Sequence, residues 1–345
     1  MAGRVAVITG GNSGIGLAIA RHLLLLNSAT PGGSDVKEGF RVVLACRNQA
    51  KGAAARAELL AEHPQAAVDL VELDTSSVAS VERAAAVLRS MPHEISLLFC
   101  NAGAMAIDAL DVASIVRGLL THPIAFFAST EALRQKRGLV TADGMGEVFQ
   151  TNVFGHYLLI ARLAAAAADS NSNSAMAAGA RIVWTGSAAS QLEFKLSDYQ
   201  HVWGGKAYES SKYIVDQIAG PLDQRLQPLG IRCVVAEPGN VCSNFLAGLG
   251  LPLFELLVVG VFYFIRVVLG LARFTITPAT GAVACCYAAL ADDVDSRIKY
   301  HGHATRLGRP YVEQLPLASC KDTGSFLMAR LDELVKQFDS KTKQN

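Results

Sequence analysis

Residues Arg4-Val-Ala-Val-Ile8 and the following Thr9-Gly-Gly-Asn-Ser-Gly-Ile-Gly16 decide the fold class of this chain. The first stretch is apolar, as in a short buried strand, and residues Leu17 to Leu26 have the pattern of a helix. A helix that follows a strand and a glycine turn can bind phosphate, because its N-terminus offers unpaired N–H groups and a positive dipole. The sequence therefore predicts a dinucleotide-binding turn.

The three spaced glycines of this turn have different predicted roles. Gly10 permits the tight bend, Gly14 lets the backbone approach a pyrophosphate, and Gly16 allows close packing of the helix. Their spacing is Gly-x-x-x-Gly-x-Gly, which differs from the commonest dinucleotide fingerprint. The flanking strand and helix favour a phosphate-binding turn over a glycine turn that has no function. The predicted cofactor contacts here are Thr9, Gly10, Asn12, Ser13, Gly14, Ile15 and Gly16.

A second chemical signature is Tyr208-Glu-Ser-Ser-Lys212, in which the tyrosine and the lysine stand one turn apart on one helix face. A nearby ammonium favours the phenolate, so the tyrosine pKa falls and the hydroxyl can exchange a proton with a carbonyl oxygen. The same spacing also occurs on ordinary exposed helices, so its meaning depends on its neighbours. Tyr199 and Tyr213 have no lysine four residues later, which leaves Tyr208 without a rival.

Motifs spread over residues 1–245 resemble those of the short-chain dehydrogenase/reductases in order and approximate spacing. They are Thr9-Gly-x-x-x-Gly-Ile-Gly16, Asn101-Ala-Gly103, Asn152, Ser187, Tyr208-x-x-x-Lys212 and Pro238-Gly239. Further stretches resemble a narrower family, the 3-keto-steroid reductases of sterol C4-demethylation. These are Leu44-Ala-Cys-Arg-Asn48, Thr141-Ala-Asp-Gly144, Glu147-Val-Phe149, Thr151-Asn-Val-Phe-Gly-His156 and Asp198-Tyr-Gln-His201.

Six apolar runs separated by helix-length segments predict the architecture. The runs are Val5 to Thr9, Arg41 to Cys46, Val68 to Leu73, Leu97 to Asn101, Arg181 to Thr185 and Arg232 to Ala236. Their alternation with helices predicts an α/β fold with a single doubly wound, Rossmann-type parallel sheet. We expect one domain over residues 1–338, with an insertion region at 104–151, an apolar lid or membrane segment at 249–272, and a polar tail at 339–345.

Charge and cysteine usage exclude several classes of function. The net charge is +1 without long runs of either sign, so no nucleic-acid partner is expected. The seven cysteines have no zinc or redox spacing and predict buried free thiols in a reducing, cytosolic environment. His301 and His303, without carboxylates close by in sequence, predict a solvated loop rather than a metal site.

Residues 249–272 lie where the resembled superfamily places its mobile substrate lid. The uncharged run Leu256 to Ile265 is too short to span a bilayer. Glu255 and Arg266, eleven residues apart, fall close to one helix face, so the other faces can lie in a membrane surface. We favour this monotopic arrangement, with a buried lid helix and a spanning helix as alternatives.

In the insertion, Ile115 to Phe127 predicts an extra helical pair that forms either additional core or a substrate or membrane contact.

Arg47 follows the second predicted strand, where NAD-preferring relatives have an acidic residue. A guanidinium can bind a 2′-phosphate bidentately, which favours NADPH over NADH and ketone reduction over alcohol oxidation. The alternative is a solvent-facing arginine. The resemblance also assigns cofactor contacts to Asp74 near the adenine, to Asn101, Ala102 and Gly103 along the ribose, and to Pro238, Gly239, Val241 and Ser243 at the nicotinamide.

The resemblance implies transfer of the pro-S hydride of the nicotinamide to a ketone carbon. Tyr208 would give its proton to the oxygen, and Ser187 would donate a hydrogen bond to it, so both would contact the substrate. Lys212 would bind the nicotinamide ribose and lower the Tyr208 pKa, and Asn152 would hold a water that links Lys212 to solvent. Ser190 is the nearby competitor for the serine role, because the interval from Ser187 to Tyr208 is longer than usual.

The expected function is NADPH-dependent reduction of a 3-oxosterol in sterol biosynthesis, at the endoplasmic reticulum membrane with the catalytic body facing the cytosol. The alternatives are a reductase of retinal or another lipophilic carbonyl, and a non-catalytic nucleotide-binding membrane scaffold. The scaffold is disfavoured because it would not require Asn152, Ser187, Tyr208 and Lys212 together. The resemblance leaves open a homodimer through the helices preceding and containing the Tyr208 motif, or association with other sterol-demethylation enzymes.

Overall fold

The structure, a computed structural model, describes residues 4–28, 39–127, 129–168, 175–191, 194–242 and 252–342. Its main sheet holds β1 (Arg4–Thr9), β2 (Phe40–Cys46), β3 (Val68–Glu72), β4 (Ile95–Cys100), β7 (Met176–Thr185), β8 (Arg232–Glu237), β9 (Ile298–Ala304) and β10 (Pro310–Pro316). A separate two-stranded antiparallel sheet holds β5 (Ile107–Leu110) and β6 (Leu133–Gln135).

Helices connect these strands. They are α1 (Gly14–Ser28), α2 (Gln49–Glu62), α3 (Val78–Arg89), α4 (Val112–Thr121), α5 (Pro123–Phe127), α6 (Glu147–Phe149), α7 (Gly155–Ala168), α8 (Ala207–Leu226), α9 (Pro252–Val267), α10 (Pro278–Leu290) and α11 (Lys321–Thr342). A short π-helix, Gln150–Phe154, joins α6 to α7. Within the described ranges, none of the helices combines the length and apolar character that crossing a bilayer requires.

The main sheet has the order β10-β9-β8-β7-β4-β1-β2-β3, and only the β9–β10 pair in it is antiparallel. The strand order reverses between β1 and β4, so the carboxyl ends of these strands open a crevice for a ligand. The predicted α/β fold with a doubly wound, Rossmann-type sheet is thus confirmed. All six predicted strands are present, whereas β9, β10 and the small sheet were not predicted.

Helices bury both faces of the sheet. In β1, Val5 and Val7 belong to one apolar core, while Ala6 and Ile8 belong to a second core on the opposite face. This split follows from the alternation of side chains along a strand. It explains why the central strands have nearly continuous apolar sequences, as expected for parallel sheets that are covered on both sides.

The C-terminal helix α11 packs against α8 and also contacts α7 and the π-helix before it. The Tyr157 hydroxyl donates to Asp332 Oδ1 at 2.5 Å, and Arg225 forms a bidentate pair with the same carboxylate. Arg162 reaches Asp339 near the end of the helix. The helix continues to Thr342 and so includes the first residues of the predicted polar tail at 339–345.

The cysteines require one correction. All seven are free thiols, and five are buried as predicted. However, Cys242 is only half-buried, and Cys320 is exposed immediately before α11. The prediction relied on strand-like surroundings, which neither of these two residues has in the structure.

Candidate active site

The glycine turn between β1 and α1 has the predicted geometry. Gly10 and Gly14 have φ values of +65° and +54°, which disfavour residues with a side chain. A Cβ on Gly16 would lie 2.4 Å from the Gly10 carbonyl oxygen, so the helix can pack this closely only with glycine there. A Cβ on Gly14 would meet no atom within 4 Å. The turn therefore presents bare backbone and the N-terminus of α1 to an open space.

Thr9 lies behind this turn rather than on its open side. Its side chain is fully buried, and its Oγ1 accepts hydrogen bonds from the backbone N–H groups of Asn101 and Ala102, at 2.9 and 2.8 Å. The Asn101 amide in turn donates to the Thr9 carbonyl oxygen at 3.0 Å. Thr9 therefore fixes the ends of β1 and β4 relative to each other. Its hydroxyl is used in hydrogen bonds within the protein and so holds the backbone that would face the nucleotide.

Arg47 and Asp74 lie at the ends of β2 and β3. Arg47 is exposed over 76% of its side chain and stands 3.7 Å from Asp74 Oδ2. Asp74 also accepts hydrogen bonds from the backbone and the hydroxyl of Ser76, at 2.9 and 2.6 Å. This ion pair is exposed and weak, so the guanidinium can turn toward a phosphate at little cost.

Asn152 lies in the π-helix, a distortion that often marks functional sites. Its Oδ1 accepts from the Ala104 N–H at 2.7 Å, and its Nδ2 donates to the Ala104 carbonyl and the Ser211 hydroxyl, at 3.0 and 2.9 Å. Both donors and one acceptor site of the amide are thus engaged by the protein. The side chain joins the loop after β4 to α8, and its Oδ1 keeps a second lone pair that could accept from a water.

Ser187, Tyr208 and Lys212 converge beyond the carboxyl end of β7. Ser187 lies two residues after this strand, and its side chain is hydrogen-bonded to the Tyr208 phenol. Tyr208 and Lys212 lie in the first turns of α8, with the ammonium 5.6 Å from the centre of the phenol ring. Lys212 is buried and donates to the Thr185 carbonyl at 2.7 Å. Three of the four predicted catalytic side chains, those of Ser187, Tyr208 and Lys212, therefore lie close together at the carboxyl end of the sheet.

The expected lowering of the Tyr208 pKa is not observed in this structure. Burial raises the pKa of Tyr208 to about 12, and the Ser187 hydrogen bond only partly opposes this effect. Burial likewise lowers the pKa of Lys212 to about 8, with Asp216 opposing the shift. For Tyr208, desolvation and the nearby Glu209 and Glu237 carboxylates thus outweigh the Ser187 hydrogen bond. The phenol remains protonated at neutral pH, which is the form that can donate a proton.

Sequence analysis missed a contact between the insertion and the first turn of α8. Gln135, at the end of β6, accepts from the Tyr208 backbone N–H at 2.9 Å and donates to Glu209 Oε2 at 2.6 Å. Glu209 is fully buried, and its other oxygen accepts from the Thr130 hydroxyl. Lys206 Nζ lies 3.5 Å away. The insertion therefore caps the catalytic helix at Tyr208, a long-range pairing that no local motif signals.

We expect Gln135→Leu to lower the free energy of unfolding by about 2–3 kcal/mol, because it leaves a buried carboxylate without one of its donors. Urea denaturation measures this loss. The control is Gln314→Leu, which removes an exposed amide that donates to the Tyr287 hydroxyl; its cost should be below about 0.5 kcal/mol. Equal effects of the two substitutions would show that the cap contributes nothing specific.

The turn after β8 is held by the segment that precedes α10. Gly239 has a φ of +75°, and a Cβ there would lie 2.6 Å from two carbonyl oxygens. Val241 bridges to Ile276, a β-branched residue with a φ of +70°, which costs of order 1–3 kcal/mol. Such strain indicates that the contacts around the turn fix its backbone conformation. Pro238, Gly239 and Val241 thus lie at the carboxyl end of the sheet, and Ser243 lies outside the described residues.

His301 and His303 lie in β9 rather than in the predicted solvated loop. The Nδ1 atoms of these residues approach Glu237 at 3.0 Å and Glu313 at 3.2 Å. Carboxylates distant in sequence are thus close in space, which the spacing of the histidines did not reveal. The described residues contain no group of three or more side chains arranged to hold a metal ion.

A buried histidine behind the glycine turn makes stability depend on pH. His156 Nε2 lies 2.9 Å from the Thr9 hydroxyl, and burial lowers the pKa of His156 to about 3. The unfolded chain therefore binds this proton below pH 6.5, whereas the folded protein binds it only near pH 3. We expect the His156 contribution to be complete above pH 6.5 and to fall by about 1.4 kcal/mol per pH unit from 6.5 toward 3.

Chemical denaturation of the wild type and His156→Gln at several pH values tests this prediction. The glutamine can keep a polar contact with Thr9 but does not titrate. The difference in stability between the two proteins should therefore shrink as the pH falls below 6.5. A difference that stays constant from pH 7 to pH 4 would contradict it.

Comparisons with known proteins agree with this geometry. Residues 4–250 match the family model of short chain dehydrogenases. The chain is 32% identical to the human 3-keto-steroid reductase/17-beta-hydroxysteroid dehydrogenase 7, over 96% of this chain and 94% of that protein. It is 29% identical to the 3-keto-steroid reductase of Schizosaccharomyces pombe, over 91% and 90% of the two chains.

Solved structures show the same fold. An NADPH-bound short-chain oxidoreductase from Pseudomonas aeruginosa superposes with a TM-score of 0.55 at 20% identity, covering 83% of this chain and 89% of that one. A short-chain dehydrogenase/reductase from Mycobacterium marinum gives a TM-score of 0.54 at 18% identity, with coverages of 84% and 89%. The chain belongs to the short-chain dehydrogenase family and, within it, to the family of the 3-keto-steroid reductases.

Proposed function

We propose that this protein reduces a 3-oxosterol to the 3β-hydroxysterol in sterol biosynthesis, with NADPH as the reductant. The observation that carries the reaction type is the meeting of the Ser187 and Tyr208 hydroxyls beside the buried Lys212 ammonium. The substrate class is supported by the human and yeast relatives, which are named as 3-keto-steroid reductases and match nearly the whole chain.

The glycine turn fits a dinucleotide. The open space beside Gly14 and the N-terminus of α1 suit a pyrophosphate, and Arg47 suits a 2′-phosphate. The further contacts are those predicted, at Asn12, Ser13, Ile15, Asp74, Asn101, Ala102, Gly103, Pro238, Gly239, Val241 and Ser243. When bound, NADPH supplies the hydride from its nicotinamide ring.

The residues of this chain supply the proton and stabilise the developing charge. Tyr208 donates its phenolic proton to the ketone oxygen, and the Ser187 hydroxyl donates a hydrogen bond to the same oxygen. Lys212 stabilises the resulting phenolate and binds the nicotinamide ribose. Asn152 acts by holding Ala104 and Ser211 in place. A Tyr208 pKa of about 12 suits reduction, since proton donation requires the phenol to be protonated.

Coenzyme choice provides a direct test of Arg47. Arg47→Ser removes a charge-assisted contact with the 2′-phosphate, worth about 1.5–3 kcal/mol. We therefore expect kcat/KM for NADPH to fall about 10- to 150-fold, with kcat/KM for NADH nearly unchanged. Arg89→Ser, on the exposed surface of α3, is the matched control and should alter neither value. Equal losses for both coenzymes in Arg47→Ser would remove the assigned role.

Exposed apolar side chains support association with a membrane surface. At the end of α9, Arg266 is buried beside Thr275 and beneath the Tyr263 ring, so the charge faces the protein. The apolar residues around it are exposed: Tyr263, Phe264, Val267, Val268 and Leu269. A second exposed apolar set lies on α4 of the insertion: Val112, Val116, Leu119 and Leu120. The exposure of these α4 side chains supports a substrate or membrane contact over additional core.

We propose that the protein lies at the endoplasmic reticulum membrane, with its catalytic body facing the cytosol. Monotopic attachment through the two apolar sets would let a sterol enter from the bilayer without crossing water. The Glu255 side chain, predicted on the same helix face as Arg266, lies outside what the structure describes. Association with other sterol-demethylation enzymes fits the same location.

A homodimer through α7 and α8 is not favoured in this chain. Part of that face is covered by α11, through the Tyr157–Asp332–Arg225 and Arg162–Asp339 contacts. Pairing of two subunits across it would require α11 to move. The intact chain is therefore proposed to act without this dimer interface.

Assays of purified protein with NADPH choose between the candidate functions. A 3-oxosterol of the zymosterone type should be converted to its alcohol, at a rate far above that for retinal. Reduction of retinal alone would replace the steroid proposal with the alternative lipophilic carbonyl reductase. Measurable NADPH binding without oxidation of NADPH by any of a broad panel of lipid ketones would instead support the non-catalytic scaffold.

A further inference from the structure

A buried lysine from β9 lies directly behind the loop that carries Ser187. Lys299 Nζ donates to the Ser187 carbonyl oxygen at 2.8 Å and to the Ser190 hydroxyl at 3.1 Å. Its third contact is Asp216 Oδ2, at 2.8 Å. The side chains of Lys299 and Asp216 are only 6% and 4% exposed. The three N–H groups of one ammonium therefore join β9, the serine loop and α8.

The packing around this ammonium leaves it little freedom. A Cβ on Gly186 would lie 3.1 Å from Lys299 Cε and 2.7 Å from Val235, so a glycine admits the lysine stem here. Glu237 Oε2 lies 3.8 Å from the ammonium. A buried charge is tolerated only when it is paired and hydrogen-bonded, and removal of one partner is strongly unfavourable. The contacts of Lys299 therefore define one position for the Ser187 backbone.

Asp216 connects this cluster to Lys212. The two residues are four positions apart in α8 and thus lie on the same helix face. Asp216 raises and Lys299 lowers the pKa of Lys212, which burial holds near 8. The other groups whose charges act on Lys212, or on which it acts, come from the strands and helices around it: Cys100 on β4, His156 on α7 and Cys285 on α10.

We propose that Lys299 and Asp216 are positioning residues for the reduction: their buried ion pair holds Ser187 against Tyr208 and sets the charge environment of Lys212. The pair reaches the substrate only through these residues. This inference rests on the proposed roles of Ser187, Tyr208 and Lys212 in carbonyl reduction.

Three substitutions separate the geometric effect from the electrostatic effect. Lys299→Met removes the cation, Asp216→Asn removes the anion, and Lys299→Arg keeps the charge but not the ammonium geometry. In each variant kcat should fall about 10- to 100-fold, because Ser187 loses its alignment. The KM for NADPH should change less than about 2-fold, since the cluster lies away from the glycine turn.

The pH profile of kcat provides a readout that a purely structural role would not produce. Activity should decline as the pH rises through the pKa of Lys212, because a neutral amine cannot stabilise the phenolate. Asp216→Asn removes the anion that raises the Lys212 pKa and should therefore shift this decline to lower pH. Lys299→Arg should leave it in place.

An exposed cation near Lys299 provides the control for these substitutions. Arg297→Met removes an exposed cation two residues away, with 86% of its side chain accessible, and should leave both kcat and the profile unchanged. Thermal unfolding and NADPH binding verify the fold. If Lys299→Met does not fold, the other two variants still provide the test. The decline of kcat should stay at the wild-type pH in Lys299→Arg and move to lower pH in Asp216→Asn. An unshifted profile in Asp216→Asn, a shifted profile in Lys299→Arg, or kcat values near wild type would overturn the inference.

Tyr208→Phe separates the positioning role of Lys299 and Asp216 from carbonyl reduction itself. If Tyr208→Phe retains full turnover, the proposed function fails. If Tyr208→Phe is inactive while Lys299→Met and Asp216→Asn keep wild-type kcat and pH profiles, only the positioning role is wrong.

Discussion

Replacing Tyr208 with phenylalanine is expected to lower kcat about 10²- to 10⁴-fold, the usual contribution of a positioned general acid. The substitution removes one hydroxyl and keeps the aromatic ring. The cofactor turn at Gly10 to Gly16 is untouched, so NADPH affinity should stay within about 2-fold of wild type. Steady-state assays with a 3-oxosterol and a separate NADPH titration measure the two quantities.

Tyr213→Phe is the matched control for this substitution. Tyr213 lies in the same helix, and its ring stacks on Phe194 with the centroids 4.7 Å apart. Phenylalanine preserves that stacking, so turnover should remain at the wild-type level. If Tyr208→Phe were as active as Tyr213→Phe, the Tyr208 phenol could not be the proton donor.

Ser187→Ala is the second substitution with a large expected effect. The Ser187 hydroxyl donates to an oxygen whose charge develops in the transition state, and loss of such a donor costs about 10²- to 10³-fold in kcat. KM for the sterol should change much less, because the contact strengthens mainly in the transition state. Measurement of kcat and KM for the 3-oxosterol separates these effects.

Ser190→Ala identifies which serine acts. In the structure the Ser190 hydroxyl is bonded to Lys299, whereas the Ser187 side chain meets the Tyr208 phenol. Loss of one neutral donor or acceptor at Ser190 should reduce kcat by no more than about 10-fold. A larger loss in Ser190→Ala than in Ser187→Ala would reverse the assignment.

The sequence was sufficient for the parts of the fold that depend on local patterns. Apolar runs predicted the six parallel strands, and glycine spacing predicted the turn in which Gly16 permits close packing. By contrast, β9 and β10 are rich in polar residues, and β10 forms the antiparallel edge of the sheet. Edge and end strands lack the continuous apolar sequence that identifies a central strand, so these two strands were missed.

The missed site residues share a different cause. Gln135 and Lys299 act on α8 and the serine loop across 73 and 112 residues of sequence, and no short spacing indicates such contacts. Burial is similarly invisible in a local motif. The Tyr208–Lys212 spacing predicted that the two side chains lie close together, as they do in the structure. It could not show that desolvation raises the phenol pKa.

Transfer of deuterium from stereospecifically labelled NADPH shows whether this protein moves a hydride from the nicotinamide to the sterol ketone. Purified protein is incubated with a 3-oxosterol and NADPH that carries deuterium at the pro-S position of C4, and the product is analysed by mass spectrometry and NMR. We expect a 3β-hydroxysterol with one deuterium on C3, and no label from the pro-R coenzyme. An unlabelled alcohol, label from the pro-R position, or no sterol product would contradict it.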